Sequence, residues 1–301
     1  MAALPHREPS GDDTRSGVRA PDGTPVQRSL GRGPGSSGSR ARAVRAGVTE
    51  STEVPATGEI PSSTADALSI DAFLEIVRRR RSVRSGFLRN VPVPDEHIEK
   101  ILEAARWAPS AGNSQPWEFI VIRDLKTRNK IVDIYKTQMQ DKIAMEQAAR
   151  GQRSFVDPGV DFRHAPVYFL VLGDPRTIDA YPVRTKLDKW ESHFYGSLAN
   201  CVLQMMLAAE ALGLSSIYIS DVASPYFSVM LKSLLDIPEP LQVYHLLPIG
   251  FAKRSATIHH PRRALKEMVH YERYDRSRFR GEPQLRAFME EMSIRGRQYR
   301  W

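Results

Sequence analysis

The sequence predicts a layered domain of the α/β or α+β class. Three observations carry this: two amphipathic helical segments precede any strand, four short runs of strand character follow, and helical stretches separate those runs. The first helix is expected in "SIDAFLEIVRRRRSVR", where Ser69 or Asp71 can cap a face made of Phe73, Leu74, Ile76 and Val77. The second lies in "VPDEHIEKILEAARWA". Asp95 and Glu96 occupy its first turn, and Ile98, Ile101, Leu102 and Ala105 follow the spacing of one helical face.

The strand "EFIVIRD" comes next, then a polar helical stretch over about 125–150 and a loop over 151–164. "APVYFLVLGD" is an apolar run bounded by Pro and Asp, which reads as a buried strand. "FYGSLANCVLQMMLAAEALGL" is a long apolar helix ending at Gly213, and the most central helix of the chain. "SSIYIS", a short helix over 226–235 and "VYHLLPIGF" complete the order, and no internal repeat interrupts it.

Composition narrows the class of function. The chain has 301 residues, 41% hydrophobic and 26% charged, which suits a soluble globular protein. No run approaches the ~18 apolar residues of a membrane span. One cysteine, Cys201, leaves no intrachain disulfide framework and no cysteine-based zinc site. With no apolar signal core at the N-terminus, a cytoplasmic protein is expected.

The net charge of +8 raises the question of nucleic acid. Residues 1–50 hold eight Arg against five acidic residues, and residues 261–301 hold ten Arg and one Lys against six. The stretch between is neutral, with 24 basic and 24 acidic side chains, so no nucleic-acid partner is expected. Residues 1–65 contain no Phe, Tyr or Trp and are rich in Gly, Ser, Pro and Arg. They are predicted to be a disordered extension; Asp12, Asp13 and Asp22 are out of character for a mitochondrial presequence. A domain over 66–275 and a basic C-terminal extension over 276–301 complete the expected organisation.

Three segments carry candidate chemistry. In "RRRRSVR" (Arg78 to Arg84), arginine forks and the Ser82 hydroxyl suit a phosphate, although for this motif alone a solvated helix end with cations at the negative pole is the favoured reading. In "PSAGNSQPW", Pro109 and Pro116 fix the backbone and Gly112 frees it. Ser110, Asn113, Ser114 and Gln115 then offer donors and acceptors suited to the edge of a flat heterocycle. A helix cap needs fewer polar amides. In "LLPIGFAKR", Lys253 and Arg254 follow a strand that ends at Gly250, a place suited to a ligand phosphate, although for this motif alone plain surface charge is the favoured reading. His164, His193 and His245 read as structural, and Cys201 as a small core residue.

Taken together, "RRSVR", "PSAGNSQPWEF" and "PIGFAKR", in this order, resemble the FMN-dependent nitroreductase family over roughly residues 70–275. The resemblance implies an α+β fold with a central, mostly antiparallel sheet flanked by helices. It also implies an intertwined homodimer with FMN sites at the subunit interface. Arg80, Arg81, Ser82 and Arg84 would hold the FMN phosphate and ribityl chain, joined by Lys253, Arg254 and the strand end at Gly250. Asn113 would bond the isoalloxazine edge, with Pro109, Ser110 and Gln115 shaping that wall. Ser220 and Asp221 stand where relatives turn a backbone N–H toward flavin N5.

Two departures stand out: Ser-Asp replaces the Glu-Gly or Gly-Gly of several members, and "RRSVRSGF" has longer spacing before its Phe. Flavin-cleaving relatives share that spacing but usually carry Asp at the Ser82 position. Tyr135, Phe155, Phe162 and Tyr195 are candidates for the substrate wall. The implied activity is NAD(P)H-dependent reduction of a small-molecule electron acceptor (nitroaromatic, quinone or similar) by a ping-pong route, with no catalytic side chain and no metal. Flavin enzymes of other chemistry, such as dehalogenation, dehydrogenation or flavin cleavage, and a non-catalytic flavin-binding protein are the alternatives.

Overall fold

A computed structural model describes residues 69–150, 160–253 and 262–288. The predicted extension over 1–65, Phe155, Arg254 and the end of the C-terminal segment lie outside the described residues.

Four strands form one sheet in the order β1-β2-β4-β3: β1 Trp117–Ile122, β2 Val167–Gly173, β3 Ser215–Ser216 and β4 Gln242–Gly250. All three pairings are antiparallel. Central β2 is buried along its whole length because both its faces are covered. Tyr168, Leu170 and Leu172 point to one apolar cluster, and Val167, Phe169 and Val171 to the other, as the twofold alternation of a strand requires. The first cluster is covered by α3 (Leu125–Arg150) through Ile131, Val132 and Tyr135, and by α5 (Pro225–Leu235) through Phe227 and Leu231. The second is covered by α2 (Asp95–Arg106) through Ile98, Ile101 and Ala105, and by α4 (Val183–Ala211) through Phe194, Leu198 and Met205. The result is a helix–sheet–helix sandwich, an α+β fold of antiparallel strands as expected.

Four local features depart from the sequence reading. The helix α4 begins eleven residues before Phe194, at Val183, and bends at Lys189 (φ −157°), a break that lets its polar first turns continue into the apolar part. "SSIYIS" forms only a two-residue strand, followed by a single bridge between Ile219 and Leu246. The helix α1 (Ile70–Arg79), capped by Ser69 accepting from the Ala72 N–H at 3.3 Å, buries no residue. Phe73 and Val77 of its expected face are half exposed.

The fourth is a β-bulge. Val171 pairs with His245 but Leu172 pairs with Val243, so Tyr244 is the extra residue. Its ring consequently stacks on that of its neighbour His245, centroids 3.9 Å apart and planes at 6°.

Candidate functional site

A cleft of about 560 Å3 opens beside the sheet. Its floor is Val202 and Met206 of α4 with Ile217 and Ile219; Tyr135, Met139 and Lys142 of α3 form a wall; Arg80, Ser82 and Arg84 enter from the segment after α1. Ser220, Asp221 and Tyr218 complete the lining.

Backbone pairing explains how a segment near the start of the chain reaches this place. The residue pair Ser82 and Ser216 bridges in parallel, and the Val83 N–H donates to the Ser216 carbonyl at 2.9 Å. Phe87 bridges Ala252, and the Lys253 N–H donates to the Gly86 carbonyl at 3.0 Å. Gly86, at φ +87°, makes the bend that a side chain would oppose. "RRSVRSGF" is thereby laid along both β3 and the end of β4, and the chain at Lys253 is brought beside it.

The electrostatics of this end favour an anion. Burial holds the Arg80 guanidinium below its ordinary range; Arg262 pushes the same way, and Glu210 opposes them. Glu210, buried, pairs with Arg79 at 3.4 Å. A half-buried cation whose like-charged neighbour outweighs its counter-ion gains from a dianionic partner.

At the other end the Lys142 ammonium ion-pairs with Asp221, and the Gln138 amide donates to the Ser224 hydroxyl at 2.5 Å. These contacts fasten α3 to the turn after Ile219.

The predicted heterocycle wall sits elsewhere. Residues Ala111–Asn113 form a single 3-10 turn whose neighbours are heavily cross-bonded. The Gln115 N–H donates to the Ser110 hydroxyl at 3.1 Å, and the Gln115 amide donates to Asn113 Oδ1 at 3.2 Å. The Ala111 N–H reaches the Ser197 hydroxyl at 3.1 Å, and the Asn200 amide reaches the Pro109 carbonyl at 3.0 Å. Asn113 (φ 52°) and Gln115 (φ 43°) both hold left-handed backbone, a cost of roughly 1–3 kcal/mol each. Such strain needs a reason. Asn113 and Gln115 are exposed, and no residue of this loop lines the cleft.

On α4, Ser197 and Asn200 anchor the loop while Ala199, Val202, Leu203 and Met206 line the cleft. At about 100° per residue these two faces lie roughly 140° apart. One copy of the chain therefore assembles Arg80, Ser82, Arg84, Ser220 and Asp221, and leaves Pro109, Ser110, Asn113 and Gln115 on the far side of α4.

Gly250 is the last residue of β4, as expected, and a Cβ there would lie 2.4 Å from the Pro166 ring, so it serves close packing. Arg81 is half-buried and does not line the cleft. Among the wall candidates Tyr135 lines the cleft, Phe162 is core, and Tyr195 borders a second cavity of about 440 Å3. Trp117 is buried, whereas Trp107 is exposed and donates to Glu103 at 2.7 Å. Burial pushes the Cys201 thiol up to about 12, an inert core residue as expected.

Sequence reasoning missed Met139, Lys142 and Tyr218. A lysine in a polar helix carries no signal of its partner 79 positions away. Tyr218, by contrast, is an aromatic residue inside a run that is too short to be a full strand.

Among the described residues there is no cluster of His, Cys, Asp or Glu able to hold a metal, and no helix long and apolar enough to cross a membrane.

Fold and cleft together define an α+β architecture with a ligand-sized cleft beside its sheet, and comparison with known proteins places it in a family. The Nitroreductase family profile matches residues 77–251, and the chain belongs to that family. It is 31% identical over 180 residues to a protein of Archaeoglobus fulgidus provisionally named NADH dehydrogenase/NAD(P)H nitroreductase, covering 60% of this chain and 85% of that one. It is 26% identical over 193 residues to rat iodotyrosine deiodinase 1, covering 62% of this chain but 64% of the relative. The Nematostella vectensis iodotyrosine deiodinase matches at 25% over 228 residues, with coverage of 72% and 79%. Among solved structures, the nitroreductase CinD of Lactococcus lactis in complex with chloramphenicol superposes with a TM-score of 0.54 at 19% identity, over 66% of this chain and all of that one. It shows the shared fold.

Proposed function

We propose that the protein is an FMN-dependent oxidoreductase that takes electrons from NAD(P)H and reduces nitroaromatic, quinone or similar acceptors by a ping-pong route. The observation that carries this reading is the cleft itself, with arginine forks and a serine at one end and an apolar floor leading to the Ser220–Asp221 turn at the other. Its volume of about 560 Å3 lies within the ~300–1,000 Å3 range of cofactor and ligand sites. The donor set fits the phosphate of FMN: Arg80 and Arg84 as charge-assisted forks, Ser82 as a short hydroxyl, and Lys253 from the neighbouring segment. FMN supplies the hydride chemistry when bound, so no side chain of the protein needs to act as nucleophile. The apolar residues Val202, Met206, Ile217 and Ile219 exclude water from the ring end, and the Lys142–Asp221 pair keeps α3 closed over it.

The homodimer is part of the proposal. Along α4, Tyr195, Ala199 and Leu203 form an exposed stripe at helical spacing that leads into the cleft. A second copy packed there in a twofold, self-complementary contact would carry its own Pro109–Gln115 loop to the open side of the cleft. That gives the strained loop a ligand and completes the site.

A second reading, reductive dehalogenation on the same flavin, is favoured by the iodotyrosine deiodinases among the relatives.

The test is direct. Purified protein is expected to be yellow, with absorbance near 450 nm (roughly, a general flavin property), and to bleach anaerobically on addition of NADH or NADPH. A colourless protein that takes up no added FMN overturns both readings. Flavin that neither nicotinamide bleaches, together with iodide release from iodotyrosine after chemical reduction, moves the function to dehalogenation.

A further inference from the structure

Between Pro109 and Gln115 the backbone is strained and yet fixed. Gly112 (φ 60°), Asn113 (φ 52°) and Gln115 (φ 43°) all hold left-handed backbone. Gln115 closes the loop on itself through Ser110 and Asn113. Two bonds from α4 then set where the loop sits.

The Ser197 hydroxyl, 2% exposed, donates to the His193 carbonyl at 2.7 Å and accepts from the Ala111 N–H at 3.1 Å. Its one proton goes to its own helix, so the oxygen meets the loop as an acceptor. Three residues further on, the Asn200 amide donates to the Pro109 carbonyl at 3.0 Å. Positions i and i+3 are neighbours on one helical face, so a donor and an acceptor stand side by side there. Both take hold of main-chain groups. The helix therefore grips the loop by its backbone and not by Asn113 itself.

We propose that Ser197 and Asn200 are positioning residues for the flavin site of the partner copy. Through Ala199, Val202, Leu203 and Met206, α4 lines the cleft of its own chain. Through the loop it sets the ring wall in the cleft of the other. Each site is thereby built on two α4 helices, one from each copy. This inference rests on the reading that the cleft binds FMN and that a second copy supplies the loop.

The test is equilibrium titration of FMN into single variants and into mixed dimers. Asn200→Ala and Ser197→Ala should each weaken FMN about three- to tenfold, the worth of one hydrogen bond. Asn200 is exposed, so its variant decides the matter if Ser197→Ala does not fold. In an Asn113→Ala background, itself weakened, Asn200→Ala should add little, because it acts through the loop. The decisive sample carries Asn200→Ala in one copy and Arg84→Ala in the other, purified through two different tags. Both altered parts then fall in one site, and the second site is built wholly of native parts. Half of the sites should bind FMN with native affinity, and the rest more weakly than in either single-variant dimer. A defect of folding stays with the copy that carries it and cannot be complemented in this way. Two weakened sites in the mixed dimer, or a fully additive loss with Asn113→Ala, overturn the inference. So does native affinity in Asn200→Ala where Asn113→Ala is impaired. Native affinity in Asn113→Ala instead removes the loop from the site, and this inference with it; protein that takes up no flavin sinks the cofactor reading.

Discussion

Arg80 and Arg84 show how much of a site one side chain can carry. In the proposed site each would offer forked donors to a phosphate, and removing one charge-assisted contact costs about 1.5–3 kcal/mol. Arg84→Ala should accordingly weaken FMN binding about ten- to a hundredfold, measured by equilibrium titration of the flavin; near-native affinity would remove Arg84 from the phosphate site. Lys142 gives a second expectation at this scale. Lys142→Ala leaves Asp221 without its partner and unfastens α3, so the Michaelis constant for the acceptor should rise more than FMN affinity falls, measured by steady-state kinetics on flavin-loaded protein. Arg80, Ser82 and Arg84 could be singled out from the sequence as candidates because they fall in one contiguous run, "RRSVR", and all three line the cleft. Lys142 and Tyr218 were not, since each acquires its meaning from a partner many residues away (Asp221 and His245).

At the scale of elements, α4 organises the molecule. Its buried face seats Phe194 against Gly173, where an added Cβ would come within 2.6 Å of the ring, so this packing has no slack. Phe194→Ala should cost about 3–5 kcal/mol of stability, read from denaturant unfolding. Its opposite faces hold the Pro109–Gln115 loop and the cleft floor. Leu203→Arg on the exposed stripe should give a monomer by sedimentation and, with it, lose flavin; a monomer that keeps full FMN affinity would show that the loop of a second copy is not needed. Strand and helix identities were readable from periodicity and caps, as in α2 and β2. The early start of α4 was masked by its polar first turns and the bend at Lys189. The bulge at Tyr244 was invisible, because a run such as "VYHLLPIGF" looks the same in either register. The apolar face of α1 was readable from its spacing, but its exposure was not, because amphipathicity reports that a face favours cover, not what covers it.

The whole molecule carries its titrations in two windows. His245 is buried and its folded-state pKa lies below its unfolded value, so its neutral form stabilises the fold above about pH 6.5 and that contribution is lost as pH falls. Carboxylates follow lower down: hydrogen bonds from Arg106 and Trp107 hold Glu103 at about 2, and Arg176 holds Asp174 below its ordinary range. Their contribution is present above about pH 4.5 and fades as they protonate. Melting temperature should therefore decline in two steps on acidification, and His245→Gln should remove the upper one. The antiparallel order β1-β2-β4-β3 has a further consequence, for synthesis. Strand β2 needs cover on both faces and on both edges, yet β4, its second neighbour, leaves the ribosome 69 residues later, from Gly173 to Gln242. At about 5–20 residues per second that is roughly 3–14 s during which a seven-residue apolar ribbon has one open edge. Nascent chains halted between those points are expected to be the aggregating species, and the ones that chaperones hold longest.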